Sequence, residues 1–228
     1  MNCLCCKDDA NANIMQNPDV YYCNMCFHIF RDYSFIDLKK YYNERYRTSI
    51  SPRKITDVKK ARDMRMVNII KPWIKKEHTL FELGSADGTL ATFIKDNVKM
   101  KEMFCCEIDD NLANICESKG HNVVNEDFFK IKNKEYDCFM AIDVIEHLLD
   151  LDSLVEKIKE LKFKRIITQV PTDREIHNRM PFDGHFHYFS EESLKSLYGP
   201  DFKLIFSYKT QKGETQNGSG LITVFDKV

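Results

Sequence analysis

The chain has 228 residues, 43% of them hydrophobic, and a net charge of −1. That length suits one main domain with room for a small appendage. The near-zero charge gives no global basic field for nucleic acid or an anionic membrane, and no apolar run approaches the length of a membrane span. Met1 is followed by Asn2-Cys3-Leu4-Cys5-Cys6 rather than by a basic stretch and an apolar core. No signal peptide is therefore expected, and residence is expected to be cytoplasmic. Nine cysteines in such a chain point to metal or free thiols rather than disulfides.

Three regions follow in order: 1–30, 31–75 and 76–228. The first holds five of the nine cysteines. Cys3-Leu4-Cys5-Cys6 and Cys23-Asn24-Met25-Cys26 give two Cys-x-x-Cys pairs, with 16 residues between Cys6 and Cys23. Four thiolates at this spacing suit tetrahedral Zn²⁺. A segment this small cannot bury enough apolar area alone, so structural zinc on Cys3, Cys6, Cys23 and Cys26 would fold it. Cys5 is an alternative ligand, and Lys7 and Phe27 stand where a glycine usually follows each pair. Lys7 and Arg31 face Asp8, Asp9, Asp19 and Asp32, a poor footprint for phosphate.

The second region is charged and aromatic, with Tyr33, Phe35, Tyr41, Tyr42 and Tyr46. After Pro52, the stretch Ile55–Ile74 reads as a helix, with Val58, Met66, Ile69, Ile70 and Trp73 on one face. From residue 79 strands and helices alternate, which predicts a mainly parallel, doubly wound α/β sheet. Strands are expected at Thr79–Leu83, Met103–Ile108, Asn122–Asn125, Tyr136–Ile142 and Arg165–Val170. The helices between them are expected at Thr89–Asp96, Asn111–Ser118 and Leu151–Leu161. Ser190 is a plausible N-cap for Ser190–Leu197. Phe202–Tyr208 and Leu221–Phe225, joined by a polar loop, suggest an antiparallel C-terminal end to the sheet. Cys105, Cys106, Cys116 and Cys138 sit in apolar contexts and read as core thiols.

The stretch Phe81-Glu82-Leu83-Gly84-Ser85-Ala86-Asp87-Gly88-Thr89-Leu90 reads as a buried strand, a glycine turn and a helix start. Glycine tolerates positive φ and lets a ligand approach the backbone. The spacing is Gly-x-x-x-Gly with an acid before it, which differs from the pyrophosphate-seating Gly-x-Gly-x-x-Gly and disfavours a nicotinamide dinucleotide. Acids then close four consecutive strands: Glu82, Glu107, Asp127 and Asp143. Acids also cap helices at such places, but four in order behind a glycine turn suit a cationic, hydroxyl-bearing ligand.

Together these residues resemble the class I S-adenosylmethionine-dependent methyltransferases over roughly residues 60–228. The resemblance implies a seven-stranded sheet and S-adenosylmethionine as cofactor. Glu82, Gly84, Ser85, Ala86, Gly88, Glu107, Ile108, Asp127, Phe128 and Asp143 would contact it. Glu107 would take the ribose hydroxyls, Asp127 the adenine amino group, and Phe128 would pack on the adenine ring.

Asp143-Val144-Ile145-Glu146-His147 follows the fourth strand, and Gly184-His185-Phe186-His187-Tyr188-Phe189-Ser190 comes later. If a helical turn begins at Asp143, its carboxylate, Glu146 and His147 can face one way. The acid-x-x-Glu-His pattern is similar to the metal-binding motif of the ubiquinone-pathway O-methyltransferases and the small-RNA 2′-O-methyltransferases. By that analogy Asp143, Glu146, His147 and His185 or His187 would hold a divalent metal. The competing role is general base, for His147 or His187, with Glu146 beside them. His28, His78, His121 and His177 read as ordinary polar residues.

A zinc ribbon followed by aromatic residues and a methyltransferase domain is similar to a recurring bacterial and viral arrangement, often used in tailoring sugars, nucleotide sugars or secondary metabolites. The expectation is an O-methyltransferase with a small-molecule acceptor and no membrane or nucleic-acid partner. The loop Thr172–Asp183, with Arg174, His177 and Arg179, is a candidate for an anionic acceptor or a solvated polar loop. A metal-dependent RNA 2′-O-methyltransferase and a non-catalytic cofactor-binding module are the alternatives.

Overall fold

The computed structural model describes residues 1–12, 20–32, 57–132, 134–172, 185–211 and 220–228, with backbone alone at 12 and 57–59. The connector aromatics from Tyr33 to Tyr46, and Arg174, His177 and Arg179, lie outside the described residues.

Strands β4 (Thr79–Leu83), β5 (Glu102–Cys106), β6 (Asn122–Val124), β7 (Cys138–Ile142), β8 (Arg165–Pro171), β10 (Phe202–Lys209) and β11 (Gly220–Lys227) form one sheet. Its order is β10-β11-β8-β7-β4-β5-β6. The five strands from β4 to β8 run parallel, and β11 pairs antiparallel with both β8 and β10. This is the seven-stranded, mostly parallel sheet with an antiparallel C-terminal hairpin that the sequence implies. The register sets Leu83 opposite Cys106 and Ala141, and Ile142 opposite Gln169, so four strands end along one rim. Ligands of open α/β sheets collect on that rim.

Both faces of the sheet are buried, which is why its strands read as apolar runs rather than as alternating patterns. Successive residues feed two cores. Phe81 and Phe139 join Phe163, Leu154 and Ile158 on one side. Leu80, Cys138 and Met140 join Val67, Ile70 and Ile94 on the other. Helices α1 (Asp57–Ile70), α2 (Thr89–Asn97), α3 (Asp110–Ser118), α4 (Leu151–Glu160) and α5 (Glu191–Tyr198) flank the sheet. Ser190 caps α5, accepting from the Ser193 N–H, in a reciprocal capping box. Helix α1 ends at Ile70, earlier than its apolar pattern suggests. Pro72 lies in the 3₁₀ turn Lys71–Trp73 that follows, and a proline there removes a helical donor.

The N-terminal segment forms β1 (Asn11–Ala12), β2 (Val20–Tyr22) and β3 (Ile29–Arg31). A fourth strand comes from far along the chain: β9 (His187–Tyr188) pairs antiparallel with β3, Phe30 opposite His187. Cys3, Cys5, Cys23, Cys26 and Phe30 share a core with Phe189, Leu194 and Tyr198, so the ribbon is packed into the larger fold.

Candidate functional site

The turn after β4 curls back onto β5: the N–H groups of Gly84 and Ser85 both donate to the Cys106 carbonyl, at 2.9 and 3.1 Å. Gly84, Ala86 and Gly88 have φ of 71°, 49° and 72°, three left-handed residues in five. A Cβ on Gly84 would meet Val144 Cγ2 at 2.6 Å, and one on Gly88 would meet Cys116 Sγ at 2.6 Å. Glycine is thus required at both positions by conformation and by space. Asp87 accepts the Thr89 N–H at 3.1 Å and lies 3.3 Å from Lys119 Nζ. Burial would raise the Asp87 pKa, but Thr89 and Lys119 outweigh it and hold it below the usual value.

Glu107 stands where β5 ends. One oxygen accepts the Ala86 N–H and the other the Asp109 N–H, both at 2.9 Å. Burial raises its pKa against these hydrogen bonds. An ionised carboxylate has about four acceptor directions, so Glu107 retains capacity for hydroxyl donors. Ile108 beside it is 53% exposed, an apolar surface at the sheet rim. Asp127 accepts the Phe129 N–H at 3.1 Å. Phe128 is buried, its ring 5.8 Å from Phe81 and 5.7 Å from Phe139. The core takes up that ring, for which the resemblance implies packing on adenine.

A cleft of about 550 Å³, its open mouth included, runs along the turn. It is lined by Glu82, Gly84, Ser85 and Ala86 at the end of β4 and its turn, and by Asp143 and Gln169 from the ends of β7 and β8. Asp143 has φ of 55°, and its Oδ1 accepts from Gln169 Nε2 at 2.8 Å. The other amide atom of Gln169, Oε1, is buried and has no hydrogen-bond partner. Helix α1 supplies a wall that the sequence reading missed: Arg62 and Asp63, joined by N–H groups at 2.6 and 2.9 Å from Asp63 Oδ1. Arg62 is the one cation among the described lining residues, against the acids Asp63, Glu82, Asp87 and Asp143. This donor set fits a ligand with one carboxylate and two positive centres, as the methionine part of S-adenosylmethionine has.

Beyond Asp143 the chain makes a 3₁₀ turn, Ile145–His147. Glu146 is fully buried, and neither carboxylate oxygen has a hydrogen-bond partner. Burial, then the charge of Asp143, pushes its pKa well above the carboxylate range. His147 Nε2 lies 4.0 Å from Glu146 Oε1. The His147 and His185 rings are 4.7 Å apart and nearly perpendicular. Burial, then His147, lowers the His185 pKa to about 4. Single ligand atoms of Glu146, His147 and His185 all lie within 4.8 Å of one another. The set expected from the sequence is therefore divided. Asp143 stays in the cleft with Gln169, and His187 turns to the ribbon, its Nε2 2.7 Å from the Leu148 carbonyl oxygen and its ring 5.2 Å from His28. Pairing with β3 begins at His187 and pins it there, whereas His185 precedes the strand. His28, read from sequence as an ordinary polar residue, is fully buried in that stack.

The four cysteines Cys3, Cys6, Cys23 and Cys26 also converge, their sulfurs all within 4.8 Å. Cys3 and Cys26 are 3.5 Å apart, and Cys6 and Cys23 are 3.4 Å apart. A disulfide needs about 2.05 Å, while a zinc tetrahedron with bonds of about 2.3 Å has edges of about 3.8 Å. The two knuckles have the same backbone: Cys3 N–H donates to Asp8 O and Lys7 N–H to Cys3 O, as Cys23 does to His28 and Phe27 to Cys23. Lys7 and Phe27 adopt φ of 67° and 58°, the conformation for which glycine is usual. Cys5 lies in a second group with Cys3 and His28. The cluster is compatible with zinc.

A family model described as a methyltransferase domain matches residues 56–198. No curated protein sequence is significantly similar to the chain. Among solved structures, the complex of the Haloferax volcanii Trm112 methyltransferase activator with a candidate methyltransferase is similar at a TM-score of 0.62 and 9% identity, over 73% of this chain and 88% of that one. The methyltransferase domain of bacterial CtHen1-C is similar at 0.59 and 13% identity, over 75% and 99%. An S-adenosylmethionine-dependent methyltransferase from Clostridium acetobutylicum ATCC 824 is similar at 0.54 and 11% identity, over 83% and 97%.

Proposed function

The chain belongs to the methyltransferase-domain family, and from that premise we propose that it methylates a hydroxyl group of a small-molecule acceptor, a sugar, nucleotide sugar or related metabolite. It is an S-adenosylmethionine-dependent methyltransferase; the acceptor class and the residue roles are our reading. When bound, the sulfonium of the cofactor supplies an already activated methyl group. The protein's tasks are then to orient the acceptor oxygen and receive its proton.

In this reading Glu107 accepts from the ribose hydroxyls, Ile108 lies against the adenine, and Asp127 takes the adenine amino group. Arg62 receives the methionine carboxylate. Glu82, Asp143 and Gln169 face the positive centres, with Gly84, Ser85, Ala86 and Gly88 shaping the turn. The observation that carries the acceptor assignment is continuity: Asp143 lines the cleft, and the Glu146–His147–His185 group begins three residues further along the chain. In this reading His147 takes the hydroxyl proton. The ribbon cysteines Cys3, Cys6, Cys23 and Cys26 hold a structural zinc. Net charge of −1 and the acids of the ribbon favour a small acceptor over a polyanion. Among the described residues no helix is long and apolar enough to cross a membrane.

One observation favours a second reading. A buried carboxylate with both oxygens unpartnered, beside two imidazoles, is also the donor set of a divalent cation. Such an ion would supply a Lewis acid at the acceptor hydroxyl, held by Glu146, His147 and His185. The experiment is incubation with methyl-labelled cofactor and a panel of sugar phosphates, nucleotide sugars, quinol precursors and short RNAs, with and without chelator. Labelling of a sugar-containing small molecule, insensitive to chelator, is the expected result. Labelling of RNA alone overturns the acceptor assignment. Loss with chelator and rescue by Mg²⁺ or Mn²⁺ moves the mechanism to the metal.

A further inference from the structure

The ribbon and the acceptor-side cluster meet at one short piece of chain, residues 185–190. On one edge, β9 pairs with β3 through Ile29 opposite Tyr188 and Phe30 opposite His187, and the Arg31 N–H donates to the Phe186 carbonyl at 3.3 Å. On the other, the Phe186 N–H donates to the Glu146 carbonyl at 2.7 Å, and His187 Nε2 meets the Leu148 carbonyl oxygen at 2.7 Å. Ser190 Oγ donates to the Cys26 carbonyl at 2.6 Å, at the second cysteine knuckle. The His28 ring packs 5.1 Å from both Phe30 and Phe189 and 5.2 Å from His187. A path of contacts through residues 185–190 therefore joins Cys26 to Glu146, and His185 sits at its end against His147.

We propose that the ribbon is a wall of the acceptor site: by holding β9 it sets the His185 imidazole against His147 and Glu146, and metal binding by its cysteines orders this side of the pocket while the cofactor cleft stands without it. The inference rests on the reading of the four cysteines as a zinc site. A two-residue strand has no stability of its own, so β9 depends on its neighbours. One neighbour, the turn at Glu146–Leu148, follows β7 of the methyltransferase sheet. The other, β3, belongs to a three-stranded unit with strands of two, three and three residues, which a metal would fold. Losing that unit removes the β3 ladder and uncovers His187 and Phe189. The cofactor cleft draws instead on α1 and the ends of β4, β5, β7 and β8, whose ladders do not involve the ribbon.

The test uses the full chain and needs no acceptor. Zinc content is measured, the metal is released with a mercurial thiol reagent and a chromogenic chelator, and two signals are followed. One is calorimetric affinity for S-adenosylhomocysteine; the other is the ¹⁵N–¹H imidazole spectrum, with His147 and His185 assigned through H147N and H185N. The expected result is one zinc per chain, unchanged affinity after its release, and shifted or broadened His185 and His147 signals. Arg31→Pro deletes the N–H that binds Phe186 and leaves every cysteine in place; it should keep its zinc and still move the His185 signal. Unmoved imidazole signals in either sample overturn the proposal, as does parallel loss of cofactor affinity. Absence of zinc from the native protein would instead refute the metal reading, and Arg31→Pro would then decide the mechanical coupling alone.

Discussion

The backbone N–H of Ala86 donates to Glu107 Oε2 at 2.9 Å, joining the turn after β4 to the loop after β5. The bond ties the turn that lines the cleft to the end of β5, and under the proposed function Glu107 has two tasks: to hold that turn and to receive ribose hydroxyls. Glu107→Ala should weaken S-adenosylhomocysteine by about 2–3 kcal/mol, roughly 30- to 150-fold, as expected for hydrogen bonds to a charged acceptor. The two tasks separate with a 2′-deoxy analogue. The native protein should lose affinity for it, and Glu107→Ala should hardly distinguish it from the parent ligand. Equal discrimination by both proteins in calorimetry would remove Glu107 from the ribose.

Gly84 faces Val144 across the sheet rim, and a Cβ at Gly84 would sit 2.6 Å from Val144 Cγ2. Gly84→Ala therefore suffers both a left-handed backbone and a steric clash, together about 2–4 kcal/mol of unfolding free energy. Val144→Ala in the same chain should return the steric part and leave a residual of about 1 kcal/mol from φ. Urea denaturation of the two singles and the double gives the coupling energy. Strict additivity would show that Val144 is not the obstacle.

Much of this layout was legible in the sequence for a plain reason. Strands buried on both faces are apolar throughout, and β4 and β7 stand out as such. The turn glycines and the acids at Glu82, Glu107 and Asp143 are local signals at fixed places relative to those strands. What was not legible depends on distant contacts. His187 pairs with Phe30, a partner 157 positions away, and nothing near His187 announces it. Phe128 follows Asp127 and so invited an adenine role, but its ring fits between Phe81 and Phe139. Arg62 and Asp63 carry no local signal within the helix expected over Ile55–Ile74, because only the packing of α1 along the cleft makes them lining residues. Pro72 was a local signal, and it does end α1 early. Strand β5 stops at Cys106 because Glu107 bends the chain to bind two backbone N–H groups.

Arg62 offers a sharper test of the cleft. It is the one cation among the described lining residues, and a guanidinium matches a carboxylate with two parallel bonds. Arg62→Ala should bind S-adenosylhomocysteine about 10- to 100-fold more weakly, the loss of a charge-assisted contact. The same variant should bind 5′-methylthioadenosine, which lacks the amino-acid group, as the native protein does. Arg62→Lys should recover only part of the loss, since an ammonium is a point charge without the fork. Because Asp63 loses its partner in the alanine variant, thermal unfolding must be recorded beside the affinities. Weakening of both ligands alike would place Arg62 outside the methionine end.

Acid should loosen the opposite edge of the sheet first. Asp137 Oδ2 accepts from both the N–H and the hydroxyl of Thr79 at 3.0 Å, and Oδ1 accepts from Lys164 Nζ at 2.7 Å. This carboxylate therefore ties the starts of β4, β7 and β8 at the end far from the ligand. Burial would raise its pKa, but Lys164 and Thr79 outweigh it and hold it at about 2, against 3.8 for an ordinary aspartate. A depressed folded pKa means that the unfolded chain binds protons more readily, so the contribution is complete above about pH 4 and disappears as pH falls toward 2. Lys164 is well exposed, so solvent screens most of the ion-pair part. Asp137→Asn should lower stability at neutral pH and flatten its decline between pH 4 and pH 2. Urea midpoints for the two proteins across that range decide it: parallel curves would mean that the Thr79 bonds, and not the charge, hold this corner.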